Sequence, residues 1–150
     1  MASRWQARLA IPAAALWWGS LTTIGFVVVP LLFVHLPSAA MAGQMAARLF
    51  SAQTWIALVC GLLLIMASRS QPLAGRQGAS RALPYVLAGM LLALLVEFAV
   101  APRIMARQNL RLWHGLGSGM YVLQWLCAGV VLWKVTLAQS GPVSAGQERA

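Results

Sequence analysis

The chain has 150 residues, of which 61% are hydrophobic and only 9% charged, with a mean hydropathy of +0.77. A soluble domain carries about 25% charged residues, so this composition excludes one and requires a membrane protein; the length suits a single domain. The net charge of +9 comes from 11 Lys and Arg against two acids. The arginines stand near the ends of apolar runs, which reads as topology signals and contacts with anionic lipid headgroups and excludes a nucleic-acid surface.

The N-terminus is basic (Arg4, Arg8) and leads into an apolar run that continues to Leu36. A signal-peptide core is only ~7–15 residues long, so an uncleaved first membrane helix is expected. It covers residues 11–35, enough to cross a ~30 Å hydrocarbon core at ~20 residues per span. Pro30 lies inside it and should kink it or loosen its outer end. Ser38 is placed to cap a second helix over residues 39–67, whose first half carries Gln44, Arg48 and Gln53 among small residues. There Ala39, Gly43 and Ala47 recur every fourth position, a pattern that permits close helix approach. The stretch Ser68 to Arg81 is polar, contains three arginines and reads as a loop. A third helix follows over residues 83–108, with Pro84 in its first turn, and a fourth over 110–138. Gly141-Pro142 ends it, and residues 139–150 read as a disordered tail. The fold class is therefore all-α: a polytopic protein with four transmembrane helices.

The halves resemble each other as two repeated helical hairpins. Phe26-Val-Val-Val-Pro30 matches Phe98-Ala-Val-Ala-Pro102; Arg48-Leu49-Phe50 matches Arg111-Leu112-Trp113; Cys60 and Cys127 fall at similar depths. Each half starts on the same side, so the axis relating them runs along the membrane normal. Both cysteines lie in apolar runs and read as buried thiols rather than a disulfide or metal pair.

Four spans put both termini on one side. That side carries seven positive residues (Arg4, Arg8, Arg69, Arg76, Arg81, Lys134, Arg149) and the other four (Arg48, Arg103, Arg107, Arg111). The positive-inside rule then places both termini in the cytoplasm of a multi-pass protein of the bacterial inner membrane.

The same parity gathers the intramembrane polar groups at the end opposite the termini: His35, Gln44, Arg48, Glu97, Arg103, Arg107, His114 and Ser118. Glu97 is the one acid in a span, since the other acid, Glu148, is the third residue from the end of the sequence. A carboxylate at that depth must be protonated, paired or turned to water. Arg48 is its first candidate partner and His114 its second; a structural ion pair, a titrating group and an unpaired protonated acid are the three readings. Arg103, Arg107 and Arg111 are spaced by four and share a face if the helix continues through them. The fourth helix shows a stripe of His114, Ser118, Tyr121 and Trp125, with Gly115 and Gly119 as further helix-contact positions. His35 and His114 on separate helices suit haem or metal, which makes a membrane redox protein the alternative function. Neither a phosphate loop nor a hydrolytic motif occurs, no resident cofactor is expected, and nothing marks an enzyme.

Trp17-Trp18-Gly19, Phe26 to Phe33, Ala42-Gly43 and Arg48-Leu49-Phe50, followed by Ala101-Pro102-Arg103, Arg107 and His114-Gly115 through Gln124, resemble domain-of-unknown-function family 4149. This bacterial group is related to eukaryotic transmembrane protein 205. The resemblance implies a four-helix membrane protein and no established reaction; His35 departs from the pattern. The function expected is a small transporter-like or accessory membrane subunit, partnered by the bilayer and by a second copy or a larger membrane complex.

Overall fold

A computed structural model of the chain describes residues 2–69 and 73–139. Six α-helical segments and two π-helical turns follow one another in four spans. The first is α1 (Ala2–Thr23), a π turn (Ile24–Val28) and α2 (Val29–His35). The second is α3 (Ala39–Arg69). The third is α4 (Leu73–Leu95), a π turn (Val96–Val100) and α5 (Ala101–Met105), and the fourth is α6 (Leu110–Gln139). Stretches of these helices over Leu9–His35, Ala39–Arg69, Arg81–Met105 and Leu110–Ala138 are long and apolar enough to cross a membrane. No strand occurs among the described residues.

The first span packs on the second and fourth, and the third packs on the same two. The first and third therefore face each other diagonally, as do the second and fourth. The centre is built from small residues: Ala14, Ala57 and Ala128 are fully buried, beside Trp17, Leu21 and Val131. Lipid is as apolar as leucine, so close approach of small residues, rather than hydrophobic sequestration, holds such helices together. Large apolar side chains point outward instead: Trp55 is 62% exposed, Phe98 67% and Trp133 68%. An exposed apolar surface of that extent, on four helices long and apolar enough to cross a membrane, suits contact with hydrocarbon.

Both π turns have the same origin. Proline lacks an N–H, which deprives the carbonyl one turn earlier of its donor. Ahead of Pro30 the Val29 N–H reaches back five residues to Ile24 O, and ahead of Pro102 the Ala101 N–H reaches Val96 O. The widened turn lets neighbouring backbone groups find other partners, so the expected disturbance at Pro30 takes the form of a π turn and recurs at Pro102.

Several boundaries differ from the sequence expectation. The loop of residues 68–81 shrinks, because α3 runs to Arg69 and α4 already starts at Leu73. The Ala, Arg and Gln residues there are adequate helix formers, and Pro84 consequently lies within α4 rather than in its first turn. The third span stops at Met105, and residues 106–109 form the turn that reverses the chain. Arg107 (φ 54°) and Asn109 (φ 34°) take left-handed backbone there. Arg103, Arg107 and Arg111 thus do not share one helical face. Ser38 does cap α3, its Oγ accepting from the Met41 N–H at 3.2 Å. The tail expected over 139–150 lies, beyond the end of α6, outside the described residues.

Candidate functional site

Glu97 occupies the second position of the π turn Val96–Val100 and is half-buried. Its partner comes from another helix, as its position relative to Arg103 implies, but that partner is Ser51. The single Ser51 hydroxyl donates to both carboxylate oxygens, at 2.8 Å to Oε1 and 3.0 Å to Oε2. Neither Arg48 nor His114 pairs with Glu97; both side chains are exposed. Arg48 lies three residues before Ser51 on α3, so the register error is one helical turn, and the shorter side chain reaches the acid.

The other expected site residues stay apart. His35 is exposed and its Nδ1 bonds the Leu31 carbonyl oxygen at 3.0 Å on its own helix. Gln44, Arg107 and His114 are exposed as well. The Arg103 guanidinium folds back to donate to the Ala99 carbonyl and lies 4.6 Å from the centre of the Trp113 ring. No group of three or more His, Cys, Asp or Glu able to hold a metal occurs among the described residues. Cys60 and Cys127 are both buried, free thiols.

The glycines expected to mediate packing do not do so within the chain. A side-chain carbon added at Gly43, Gly115 or Gly119 meets nothing within 4 Å. The close approaches are made elsewhere: the space at Gly25 is taken by the Tyr121 ring, that at Gly61 by Met90, that at Gly89 by Trp17 and that at Gly129 by Trp18. Half of the α6 stripe turns inward. Tyr121 donates to Leu21 O at 2.8 Å and Trp125 Nε1 to Thr22 Oγ1 at 2.9 Å, while His114 and Ser118 remain exposed.

Sequence reasoning did not single out a polar layer deeper in the bundle. Gln53 is 2% exposed and Gln124 3%. Gln53 Nε2 donates to Ser20 Oγ at 3.1 Å. Gln53 Oε1, Gln124 Nε2 and Trp17 Nε1 are buried without a hydrogen-bond partner. The two glutamines sit on the diagonal, parallel helices α3 and α6. One turn before them, Phe50 and Tyr121 meet edge to face with ring centres 5.2 Å apart. Above the layer, Trp125 stacks on Trp18 and takes the edge of Phe26. The available signal was spacing. The step that carries Gly25 to Glu97 is 72 residues, and a step of 71 carries Phe50 to Tyr121, Gln53 to Gln124 and Ala57 to Ala128.

What this arrangement can do chemically follows from Glu97 and Ser51. An arginine partner holds a carboxylate in its charged form. A hydroxyl both donates and accepts, so the contact with Ser51 is available to the acid whether ionised or protonated.

No curated protein and no solved structure matched the chain. A family model described as a domain of unknown function (DUF4149) matches residues 13–112, a stretch that takes in most of the first span, the second and third spans, Glu97, Ser51 and the turn before α6. The chain therefore belongs to the DUF4149 family, an uncharacterised family represented here by a membrane protein of four apolar helices.

Proposed function

We propose that the protein is a small transporter-like or accessory membrane subunit in which Glu97 takes up and releases a proton against Ser51. The observation that carries this reading is the pairing itself: an intramembrane acid bonded to a hydroxyl and to no cation among the described residues. An ionisable side chain in a span is expensive to keep, which makes it a functional candidate by default. Its place in a π turn adds support, because such turns recur at functional sites. The protein is read as residing in the bacterial inner membrane with both termini cytoplasmic, on the arginine asymmetry. The two-hairpin repeat belongs to the same reading. In its support, both π turns stand at the same distance ahead of Pro30 and Pro102, and the buried Gln53 recurs as Gln124. On that register Arg48 corresponds to Gly119 rather than Arg111, and Cys60 to Val131 rather than Cys127.

The test is proton movement into liposomes containing the purified protein under an imposed pH gradient. Flux above that of protein-free vesicles, abolished by Glu97→Gln and reduced by Ser51→Ala, is the expected result. Equal flux in wild type and Glu97→Gln, or none above background in the wild type, overturns the transporter reading.

A further inference from the structure

At the end of the bundle opposite the termini, positive charge has no described negative partner. The chain holds 11 basic residues and two acids. Of the acids, Glu148 lies outside the described residues and Glu97 is engaged by Ser51 within the bundle. Arg48, Arg103, Arg107 and Arg111 are all exposed, and only Arg103 is occupied, by Ala99 O and the Trp113 ring. Among the described residues no acid is left to serve as their counter-ion.

The turn that carries Arg107 lies between the end of the third span at Met105 and the start of the fourth at Leu110, so it sits at the level where hydrocarbon gives way to headgroups. An open groove begins there. It is shallow and is lined by Asn109 and Arg111 at the turn and by Leu112, Gly115 and Leu116 on the first turns of α6. Its polar and cationic residues thus stand at the turn and its apolar residues follow along α6, with open space at Gly115. Lipid matches that sequence of surfaces: an anionic phosphate at the turn and an acyl chain along α6. Left-handed backbone at Arg107 and Asn109 presents these residues at the turn; strain of this kind persists where surrounding structure or function holds it.

We propose that the groove of Asn109, Arg111, Leu112, Gly115 and Leu116 is a binding site for one anionic phospholipid, its phosphate held by Arg111. The proposal does not depend on proton exchange at Glu97.

The experiment is native mass spectrometry of the purified full chain, released from detergent after equilibration with phosphatidylglycerol, with phosphatidylcholine, or with phosphatidylglycerol plus millimolar inorganic phosphate. Wild type should retain phosphatidylglycerol in preference to phosphatidylcholine. Arg111→Gln should lower its retention about five-fold, the worth of one basic residue at a membrane surface. Gly115→Leu should lower it without changing charge, by filling the open space there. Arg69→Gln, at the opposite end, should leave it unchanged. Arg111 is exposed and a side chain at Gly115 has open space, so both variants should fold. Equal retention of the two lipids, no loss in Arg111→Gln and Gly115→Leu, or a similar loss in Arg69→Gln overturns the proposal. Displacement of the lipid by inorganic phosphate also overturns it, by showing a site for free anions.

Discussion

The pairing of Glu97 with Ser51 can be measured as a coupling energy. The perturbation is a double-mutant cycle of Glu97→Gln and Ser51→Ala, with Glu97→Gln and Arg48→Gln as the comparison. A hydrogen bond to a charged group contributes about 1.5–3 kcal/mol in soluble proteins, whereas polar contacts between membrane helices average about 0.6 and reach about 1.7 kcal/mol. Glu97 is half-buried and one hydroxyl proton is shared between its two oxygens, at 2.8 and 3.0 Å, which places the expected coupling near 1 kcal/mol. Arg48 is exposed and makes no described bond to the acid, so its coupling should fall within the roughly 0.5 kcal/mol at which distant sites are additive. The assay is reversible unfolding in mixed micelles at fixed pH, read by tryptophan fluorescence. A Glu97–Arg48 coupling larger than the Glu97–Ser51 coupling would refute the reasoning, because the acid would then be half of an ion pair and its hydroxyl partner incidental.

Three further outcomes are expected from the same unfolding measurement. Gly25→Ala drives a methyl group into the Tyr121 ring, which is anchored by its bond to Leu21 O, and should cost about 1–3 kcal/mol; Gly43→Ala meets open space and should be neutral or stabilising by up to about 1 kcal/mol. Equal effects at the two glycines would contradict the packing described. Gln124→Leu removes a buried donor that has no partner and should change stability by no more than about 1 kcal/mol, in the stabilising direction if at all. A loss above about 2 kcal/mol would mean that the amide makes a bond not seen here. Trp125→Phe keeps the stack on Trp18 and deletes the bond to Thr22, and should cost about 0.5–1.5 kcal/mol; adding Thr22→Val should then cost less than it does in the wild type, and full additivity would argue against that bond.

The legible features of this protein share one physical basis. Hydrocarbon demands about 20 apolar residues per crossing and internal satisfaction of the backbone, so four spans could be counted directly from the chain. Ser38 was readable as a cap because a cap is a local bond between neighbours in sequence. Pro30 was readable as a disturbance for the same reason, although its form was not: a kink and a π turn answer the same missing N–H. The polar loop over 68–81 was over-drawn because polarity and helicity are separate properties, and Leu73 onward is polar but helical. The site was less legible. Glu97 was conspicuous as an acid in an apolar run, yet its partner depended on the rotation and offset of α3 against the third span. Arg48 and Ser51 lie one turn apart, and chemical preference pointed to the cation while geometry selected the hydroxyl.

By itself, then, the sequence determined that the chain crosses a membrane four times, where each crossing lies within a few residues, which polar groups share an end, and that one acid is at depth; each follows from composition, length or parity. Only the tertiary structure decided what those groups touch. It turned Tyr121 and Trp125 inward and left His114 outside, and it placed Gly25, not Gly43 or Gly115, at a tight approach. It also buried Gln53 and Gln124 at the centre of the bundle. Helix rotation and offset set these contacts, and in an environment where lipid and core are equally apolar, no hydrophobic stripe in the sequence records them.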